Sequence, residues 1–321
     1  MNNAQDLHVP VLPEEVIRYL APRDGGRYLD GTLGMGGHTE RILQSAPGCT
    51  VLGLDQDESA LALAADRLGR FGSRVIARHS RFADFAGQLD ALGWDAIDGA
   101  LIDIGVSSMQ LDTPGRGFSF LHDGPLDMRM DATGGETGQA VPPASKLVNQ
   151  APFDVLKEII FKAGEEPQAG RIARAVIEAR ERKPIETTGE LAAIVEKAYP
   201  AKWRATARNH PATRTFQALR VTVNNEFGQL TKFLHGIVPR LAPGARLVVI
   251  SFHSLEDRIV KHFFRDEAQG CRCPRHVPVC ICNHVPSLEI LTRKPVTATG
   301  AELAANPRAS SAKLRAAKKV G

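Results

Sequence analysis

The sequence predicts an α/β fold in which a doubly wound parallel sheet carries an inserted all-helical domain. From Gly26 to Gly105, short apolar segments alternate with amphipathic ones, which is the pattern of strands and helices in a parallel sheet covered on both faces. The alternation then stops, and an apolar strand is predicted again only at Ala245–Ile250. The core is therefore built from two parts of the chain that are distant in sequence.

The first part of the core contains four predicted strands. Continuous apolar runs such as Gly99–Asp103 indicate burial on both faces of the sheet. In chain order, the predicted strands are Arg27–Asp30, Thr50–Asp55, Arg74–His79 and Asp98–Ile104, and the helices between them begin at His38, Glu58 and Phe82.

The insert is predicted from a series of helices that no strand interrupts. Proline in the first turn predicts the helices Pro152–Ala163 and Pro167–Arg182, and Thr187 with Glu190 forms a capping box before a third helix. A long helical stretch from Thr213 then leads back to the core. We assign residues 1–109 and 213–321 to the core and residues 110–212 to the insert.

Composition excludes some classes of protein. The chain has 321 residues, is 43% hydrophobic and has a net charge of +4, and no apolar run is long enough to span a bilayer. The segment Met1–His8 lacks the basic and apolar regions of a secretory signal, so we expect a cytoplasmic protein. Five cysteines in such a chain are too few for a disulfide scaffold.

A glycine-dense turn follows the first strand. Gly34, Gly36 and Gly37 lie between Asp30 and a helix that begins at His38, and glycines there allow positive φ and close approach of a ligand to the backbone. The next strand ends at Asp55, where an acid typically accepts hydrogen bonds from ribose hydroxyls. The pattern predicts a nucleotide site, and a nicotinamide-dependent oxidoreductase would share it.

Polar or aromatic residues follow the ends of the other strands as well. Phe82 follows the third strand, Asp103 ends the fourth and His253 follows the fifth. Because ligands bind beyond the carboxyl ends of parallel strands, we expect these groups to share one crevice. His253 is interpreted either as an orienting hydrogen-bond partner or as an acid or base.

Basic residues cluster in two segments. No acid occurs between Glu196 and Glu226, and Tyr199, Trp203 and Phe216 are interspersed among the bases, a pattern suited to RNA with unstacked bases. The bases there are Lys197, Lys202, Arg204, Arg208, Arg214 and Arg220; those of the C-terminal tail are Arg308, Lys313, Arg315, Lys318 and Lys319. A solvated helix face with a frayed terminus is the alternative, and a noncatalytic RNA-binding factor would also carry such surfaces.

Four cysteines cluster at Cys271, Cys273, Cys280 and Cys282, with His276 and His284 nearby. Such residues can bind structural zinc, but a Cys-x-Cys pair is tighter than the usual spacing of two to four residues. The sequence leaves the metal unknown, and a small reduced loop is the alternative.

Seven motifs together resemble those of the bacterial small-subunit (16S) ribosomal RNA cytosine-N4 methyltransferases, the RsmH/MraW family. The motifs, which appear in order between His8 and Arg315, are Asp30–His38, Asp103–Ser108, Gly115–Phe120, Gly124–Asp131, His210–Gln217, Ser251–Asp257 and Asn306–Arg315. Met35 and Ser310 depart from the family pattern, and Ser310 is expected to weaken a phosphate contact.

The resemblance implies a class I (Rossmann-like) methyltransferase core that uses S-adenosylmethionine to methylate the exocyclic amine of a cytidine in the decoding region of 16S ribosomal RNA. The helical insert would recognise RNA of the small ribosomal subunit, and a homodimer is left open. The residues that match cofactor-contacting positions are Gly36, Gly37, His38, Asp55, Phe82, Asp103 and Gln110.

The chemistry suggests roles for three residues. The lone pair of a cytosine amine is delocalised into the ring, so the enzyme must align N4 with the methyl group and accept hydrogen bonds from it as charge develops. Asp103 or the backbone carbonyls of Gly105–Ser108 could accept them. We expect the Asp103–Ser108 loop to orient the amine, with Ser107 near the base and His253 on the opposite wall.

Overall fold

The chain divides into two units, one made of Met1–Gly105 with Gly228–Gly321 and the other of Val106–Phe227. The computed structural model describes residues 9–131, 141–206, 209–271, 273, 279, 281–282 and 285–321. No helix within these ranges has both the length and the apolar character needed to cross a bilayer.

The first unit contains the sheet. Its strands are β1 (Arg27–Asp30), β2 (Thr50–Asp55), β3 (Val75–His79), β4 (Ile97–Asp103), β5 (Leu241–Ser251), β6 (Leu288–Ile290) and β7 (Lys313–Lys319). Its helices are α1 (Pro13–Leu20), α2 (Gly37–Ser45), α3 (Glu58–Leu68), α4 (Phe85–Ala91), most of α12 (Glu226–Ile237), α13 (Ser254–Glu267) and α14 (Gly300–Ala305).

Among the described residues, the strands are ordered β3-β2-β1-β4-β5-β7-β6. The pairs from β3 to β5 are parallel, and β7 runs antiparallel to both of its neighbours. The α/β fold with a mainly parallel sheet that the sequence predicts is therefore confirmed.

Both faces of the sheet are covered, as the apolar strands predicted. Successive residues of a strand point to opposite faces. On one face, Ala100 of β4 belongs to a core with Phe85 and Phe233 from α4 and α12. On the other face, Leu101 belongs to a core with Ile42 of α2.

The second unit is mainly helical. Its helices are α5 (Ser108–Asp112), α6 (Ala144–Gln150), α7 (Phe153–Gly164), α8 (Ala169–Arg180), α9 (Thr188–Ala198), α10 (Ala201–Thr206) and α11 (Thr213–Val223). The capping box predicted at Thr187 is present, with Glu190 completing it. Ile160, Ile172 and Phe216 lie in a core of its own.

The stretch predicted as one long helix is two helices. Asn225, between α11 and α12, has a φ of 49°, which is outside the helical region. Because Phe216 and Leu219 of α11 pack into the core of the second unit, that helix belongs to the second unit, and the predicted boundary at residue 213 is corrected to Phe227.

The alternative prediction, in which the C-terminal tail is a frayed terminus, is wrong. Residues Lys313–Lys319 form β7, which pairs with β5 and β6 inside the sheet. Arg315 is buried and forms an ion pair with Asp257, and Lys318 pairs with Glu289. The tail is therefore part of the core of its unit.

Candidate functional site

The strand order of the first unit reverses between β1 and β4. In an open parallel sheet, a crevice forms at the carboxyl ends of the two strands at such a switch point. The glycine turn follows β1 and Asp103 ends β4, so the fold brings these two predicted features to one place.

Asp30 stabilises the glycine turn through hydrogen bonds. Its carboxylate is fully buried and accepts hydrogen bonds from the Thr39 hydroxyl (2.7 Å) and the Thr32 amide (3.2 Å). Burial raises the pKa of Asp30. Asp30 thus fixes the turn rather than facing a ligand.

The three predicted glycines differ in what they allow. Gly34 and Gly36 have φ of +53° and +79°, a region that favours glycine. A Cβ on Gly36 would meet Leu68 at 2.7 Å, and one on Gly37 would meet Pro10 at 3.2 Å, so these two are needed for packing. A Cβ on Gly34 would have no contact closer than 3.9 Å, so Gly34 borders open space.

Asp55 connects the end of β2 to the glycine turn. Its Oδ2 accepts a hydrogen bond from the Gly34 amide at 2.7 Å, and its Oδ1 accepts one from the Asp57 amide at 2.9 Å. Burial raises the pKa of Asp55 to about 6. Because each carboxylate oxygen has two lone pairs, one on each oxygen is left to accept a bond from a ligand hydroxyl.

His38 and Asp103 are polar groups with unmet hydrogen-bonding capacity. His38, on the first turn of α2, is 6% exposed. Its Nε2 lies 3.6 Å from Asp103 Oδ2, beyond hydrogen-bond distance. Within the described part of the chain, neither ring nitrogen of His38 has a hydrogen-bond partner, nor does Asp103 Oδ1. Buried polar atoms normally have partners, so this arrangement suits a polar ligand.

Thr32 is a site residue that the sequence analysis missed. Its hydroxyl accepts a hydrogen bond from the Asp103 amide at 2.6 Å and so joins the turn after β1 to the end of β4. The contact is long-range in sequence, and a single threonine in a glycine-rich turn gives no signal of it.

Phe82 belongs mainly to the core. It is 8% exposed, and its ring meets that of Phe233 edge to face with the centroids 5.6 Å apart. Its Cβ would lie 3.0 Å from a Cβ added to Gly31, so Phe82 crowds the start of the glycine turn. The predicted contact with the adenine ring stays a prediction.

His253 is the N-cap of α13. The Glu256 amide donates to His253 Nδ1 at 3.4 Å, and Nε2 lies 3.0 Å from Glu256 Oε1. Glu256, which is fully buried, in turn accepts a hydrogen bond from the Phe252 amide at 2.9 Å. Both ring nitrogens of His253 thus lie near Glu256. The catalytic role of His253 stays a prediction.

Ser107 and Gln110 belong to the second unit. They form a capping box at α5, in which the Gln110 amide donates to Ser107 Oγ at 3.2 Å and the Ser107 amide donates to Gln110 Oε1 at 3.1 Å. Gln110 is buried. Their predicted roles at the base and the cofactor stay predictions.

The acid-free basic segment of the second unit is partly used for internal contacts. Arg220 forms a bidentate pair with Glu226 at 2.8 and 2.9 Å, and Arg214 donates to the backbone oxygen of Glu165 at 3.0 Å. Phe216 is buried.

The exposed part of this segment is smaller than predicted. Tyr199 donates a hydrogen bond to Glu166 and is half-buried. The basic and aromatic residues with exposed side chains in α9 and α10 are Lys197, Lys202, Trp203 and Arg204, and Arg208 lies outside the described residues. We call these four exposed residues the α10 patch.

Comparison with known proteins gives a match along nearly the whole chain. The profile of the MraW methylase family matches residues 5–320. The ribosomal RNA small subunit methyltransferase H of Nitratidesulfovibrio vulgaris strain Miyazaki F is 64% identical over 318 residues, which cover 99% of this chain and 87% of the relative. The protein of the same name from Oleidesulfovibrio alaskensis is 62% identical, with coverage of 98% and 95%, and that from Pelobacter propionicus is 55% identical, with coverage of 98% and 98%.

Proposed function

Because the chain belongs to the MraW methylase family, we propose that it transfers a methyl group from S-adenosylmethionine to the exocyclic N4 of a cytidine in the decoding region of 16S ribosomal RNA. The relatives that match over almost the full chain are named small-subunit ribosomal RNA methyltransferases, which supports this substrate. We expect the protein to act in the cytoplasm, where ribosomal subunits are found.

The observation that carries the proposal is the pair His38 and Asp103 beside the glycine turn. Two ring nitrogens and a carboxylate oxygen lie buried at the switch point without hydrogen-bond partners among the described residues. The methionine end of S-adenosylmethionine has an ammonium group, which suits Asp103, and a carboxylate, which suits an imidazole N–H and the N-terminus of α2.

Other residues of the first unit would hold the nucleoside end. Asp55 has lone pairs for the two ribose hydroxyls, and Gly34 leaves open space beside it. Phe82 would border the adenine ring with the part of its side chain that stays exposed. The chemistry of these residues suits the nucleoside end of the cofactor, which supports this assignment.

Bound S-adenosylmethionine supplies an electrophilic methyl group on a sulfonium. The protein must supply position and charge, because N4 of cytosine is a poor nucleophile. Asp103 would accept a hydrogen bond from the amine as positive charge develops on it, and the Thr32 hydroxyl would hold the Asp103 backbone in place. Ser107 and His253 stay candidate neighbours of the base.

The α10 patch would contact the RNA backbone. It combines three bases with one exposed aromatic ring, Trp203, which is 48% exposed. Lysine and arginine side chains bind phosphates, and an exposed indole can stack on an unpaired nucleotide.

A methyl-transfer assay on RNA tests the proposal. Small ribosomal subunits from cells that lack this protein are treated with the enzyme and S-adenosylmethionine, and the RNA is digested and analysed by mass spectrometry. We expect N4-methylcytidine to appear only after treatment. No gain of this nucleoside would contradict the substrate, and calorimetric binding of NAD in place of S-adenosylmethionine would contradict the cofactor.

A further inference from the structure

The described residues of the connection between α13 and β6 form no hydrophobic core. None of the described residues from 268 to 287 is buried. Val279, Ile281 and Val285 are at least 71% exposed. The ends of the connection are held together, because the Ser287 amide donates to the backbone oxygen of Glu267 at 2.9 Å and the Ser287 hydroxyl contacts the Glu267 carboxylate. Burial of apolar side chains therefore does not explain the conformation of the described residues in this connection.

Three thiols converge inside this connection. The sulfur atoms of Cys271, Cys273 and Cys282 all lie within 4.8 Å of one another, and those of Cys271 and Cys282 are 3.9 Å apart. In a tetrahedral zinc–thiolate site with Zn–S bonds of about 2.3 Å, neighbouring sulfurs are about 3.8 Å apart. The spacing of the thiols is thus already close to that of zinc ligands.

Backbone amides also point at two of the sulfurs. The Cys273 amide lies 3.4 Å from Cys271 Sγ, and the Ile281 amide lies 3.4 Å from Cys273 Sγ. Such N–H groups stabilise negative charge on sulfur, and a metal site needs its cysteines as thiolates. The first contact also shows how Cys-x-Cys spacing, which the sequence analysis counted against zinc, brings the second amide onto the first sulfur.

From these observations we infer that Cys271, Cys273 and Cys282 bind a zinc ion that holds this connection together. Thiolates are soft ligands that prefer zinc to magnesium, calcium or manganese. On binding, each thiol loses its proton to solvent and the metal gains a Zn–S bond, so no oxidant or reductant is needed. The other candidates of the sequence analysis, Cys280, His276 and His284, lie outside the described residues.

Metal analysis of the full chain tests the inference. We expect protein purified under reducing conditions without added metal to contain about one zinc per chain. The variants Cys271→Ser and Cys282→Ser should lose zinc affinity by more than the roughly 10- to 100-fold that loss of an outer-shell partner costs. Cys49→Ala, which removes the buried cysteine of the sheet unit, is the matched control and should keep its zinc.

A titration of the wild-type protein with Co²⁺ tests the inference even if the serine variants do not fold. Metal-free wild-type protein titrated with Co²⁺ should develop the visible bands of tetrahedral coordination and a sulfur-to-cobalt charge-transfer band. Trypsin sites at Arg272 and Arg275 should be protected with zinc bound and cleaved after chelation. The inference is overturned if purified protein lacks zinc and Co²⁺ gives no thiolate spectrum, or if Cys271→Ser binds zinc as tightly as wild type.

Discussion

At the scale of single residues, Asp55 determines how the proposed cofactor site responds to pH. Its carboxylate accepts hydrogen bonds from the amides of Gly34 and Asp57, yet burial raises its pKa to about 6. A protonated carboxyl group has lost part of its acceptor capacity, so donation by ribose hydroxyls favours the ionised form. Cofactor affinity is therefore highest above the pKa of Asp55 and decreases as the pH falls through that pKa.

Calorimetry across pH tests this role of Asp55. We expect the Kd for S-adenosylmethionine to be constant above about pH 7 and to rise as the pH falls through 6. Asp55→Asn should weaken binding at neutral pH by about 2 kcal/mol, roughly thirtyfold, and should abolish this pH dependence. Asp66→Asn makes the same change on the exposed side of α3 and should leave both properties as in wild type.

Asp103 is the residue on which the proposed chemistry depends. Its Oδ1 has no hydrogen-bond partner within the described ranges, and its backbone is held by Thr32. Asp103→Ala should lower kcat for methyl transfer by about 10²- to 10³-fold or more, because an acceptor aimed at developing charge is lost. Rapid-quench assays with saturating cofactor measure this. Asp95→Ala, at an exposed position before β4, is the control, and unchanged turnover in Asp103→Ala would rule out the role.

At the scale of secondary-structure elements, the sequence predicts those whose signal is local. β1, β2, β4 and β5 are apolar runs between turn residues, so composition alone locates them. β7, by contrast, carries four basic residues in Lys313–Lys319. It is a sheet strand because Arg315 meets Asp257 and because its neighbours supply hydrogen bonds. These contacts join residues that are distant in sequence, so the periodicity of the sequence does not predict them.

The same distinction applies to the candidate site. The glycine turn and Asp55 are visible in the sequence because strand ends and glycines have local signatures. The contacts of Thr39 with Asp30 and of Thr32 with Asp103 are not, because each depends on how the turn folds back on the sheet. Likewise, the use of Arg220 in a pair with Glu226 requires the break between α11 and α12.

The turn between β1 and α2 should be intolerant of side chains at Gly36. This residue has a φ of +79°, and a Cβ would lie 2.7 Å from Leu68. We expect Gly36→Ala to lower the free energy of unfolding by about 2–3 kcal/mol, since backbone strain and steric clash add. Urea denaturation measures the change. Gly87→Ala in α4, where nothing lies within 4 Å, should instead stabilise the protein by up to about 1 kcal/mol.

The pair between β7 and α13 should contribute strongly to stability. Arg315 contacts Asp257 at 2.6 and 3.0 Å, with side chains only 7% and 14% exposed. Arg315→Ala leaves a nearly buried carboxylate without its partner and should cost about 3–5 kcal/mol. In a double-mutant cycle measured by denaturation, Asp257→Ala should recover part of this loss. Additive effects of the two substitutions would show that the pair is not coupled.

At the scale of the whole molecule, the distribution of charge matters more than its sum. A net charge of +4 on 321 residues is weak evidence for RNA binding. Several bases that look available in the sequence are engaged, including Arg220, Arg315 and Lys318. Within the described part of the acid-free segment, the α10 patch is exposed. The proposed RNA contact is thus narrower than the sequence indicates, and the patch can be tested separately from the cofactor site.

Salt-dependent RNA binding tests the patch. Each lost phosphate contact reduces the magnitude of the slope of log K against log salt by about 0.7 to 0.9. Lys202→Ala with Arg204→Ala should therefore reduce it by about 1.4 to 1.8 and weaken binding to 16S ribosomal RNA. Cofactor affinity should not change, because Asp55 and Asp103 are in the other unit. Lys157→Ala with Arg171→Ala removes the same charge from exposed positions of α7 and α8 and should keep the wild-type slope. If both double variants reduce the slope equally, the reduction reflects total charge rather than the α10 patch. That result would contradict an RNA contact at the patch.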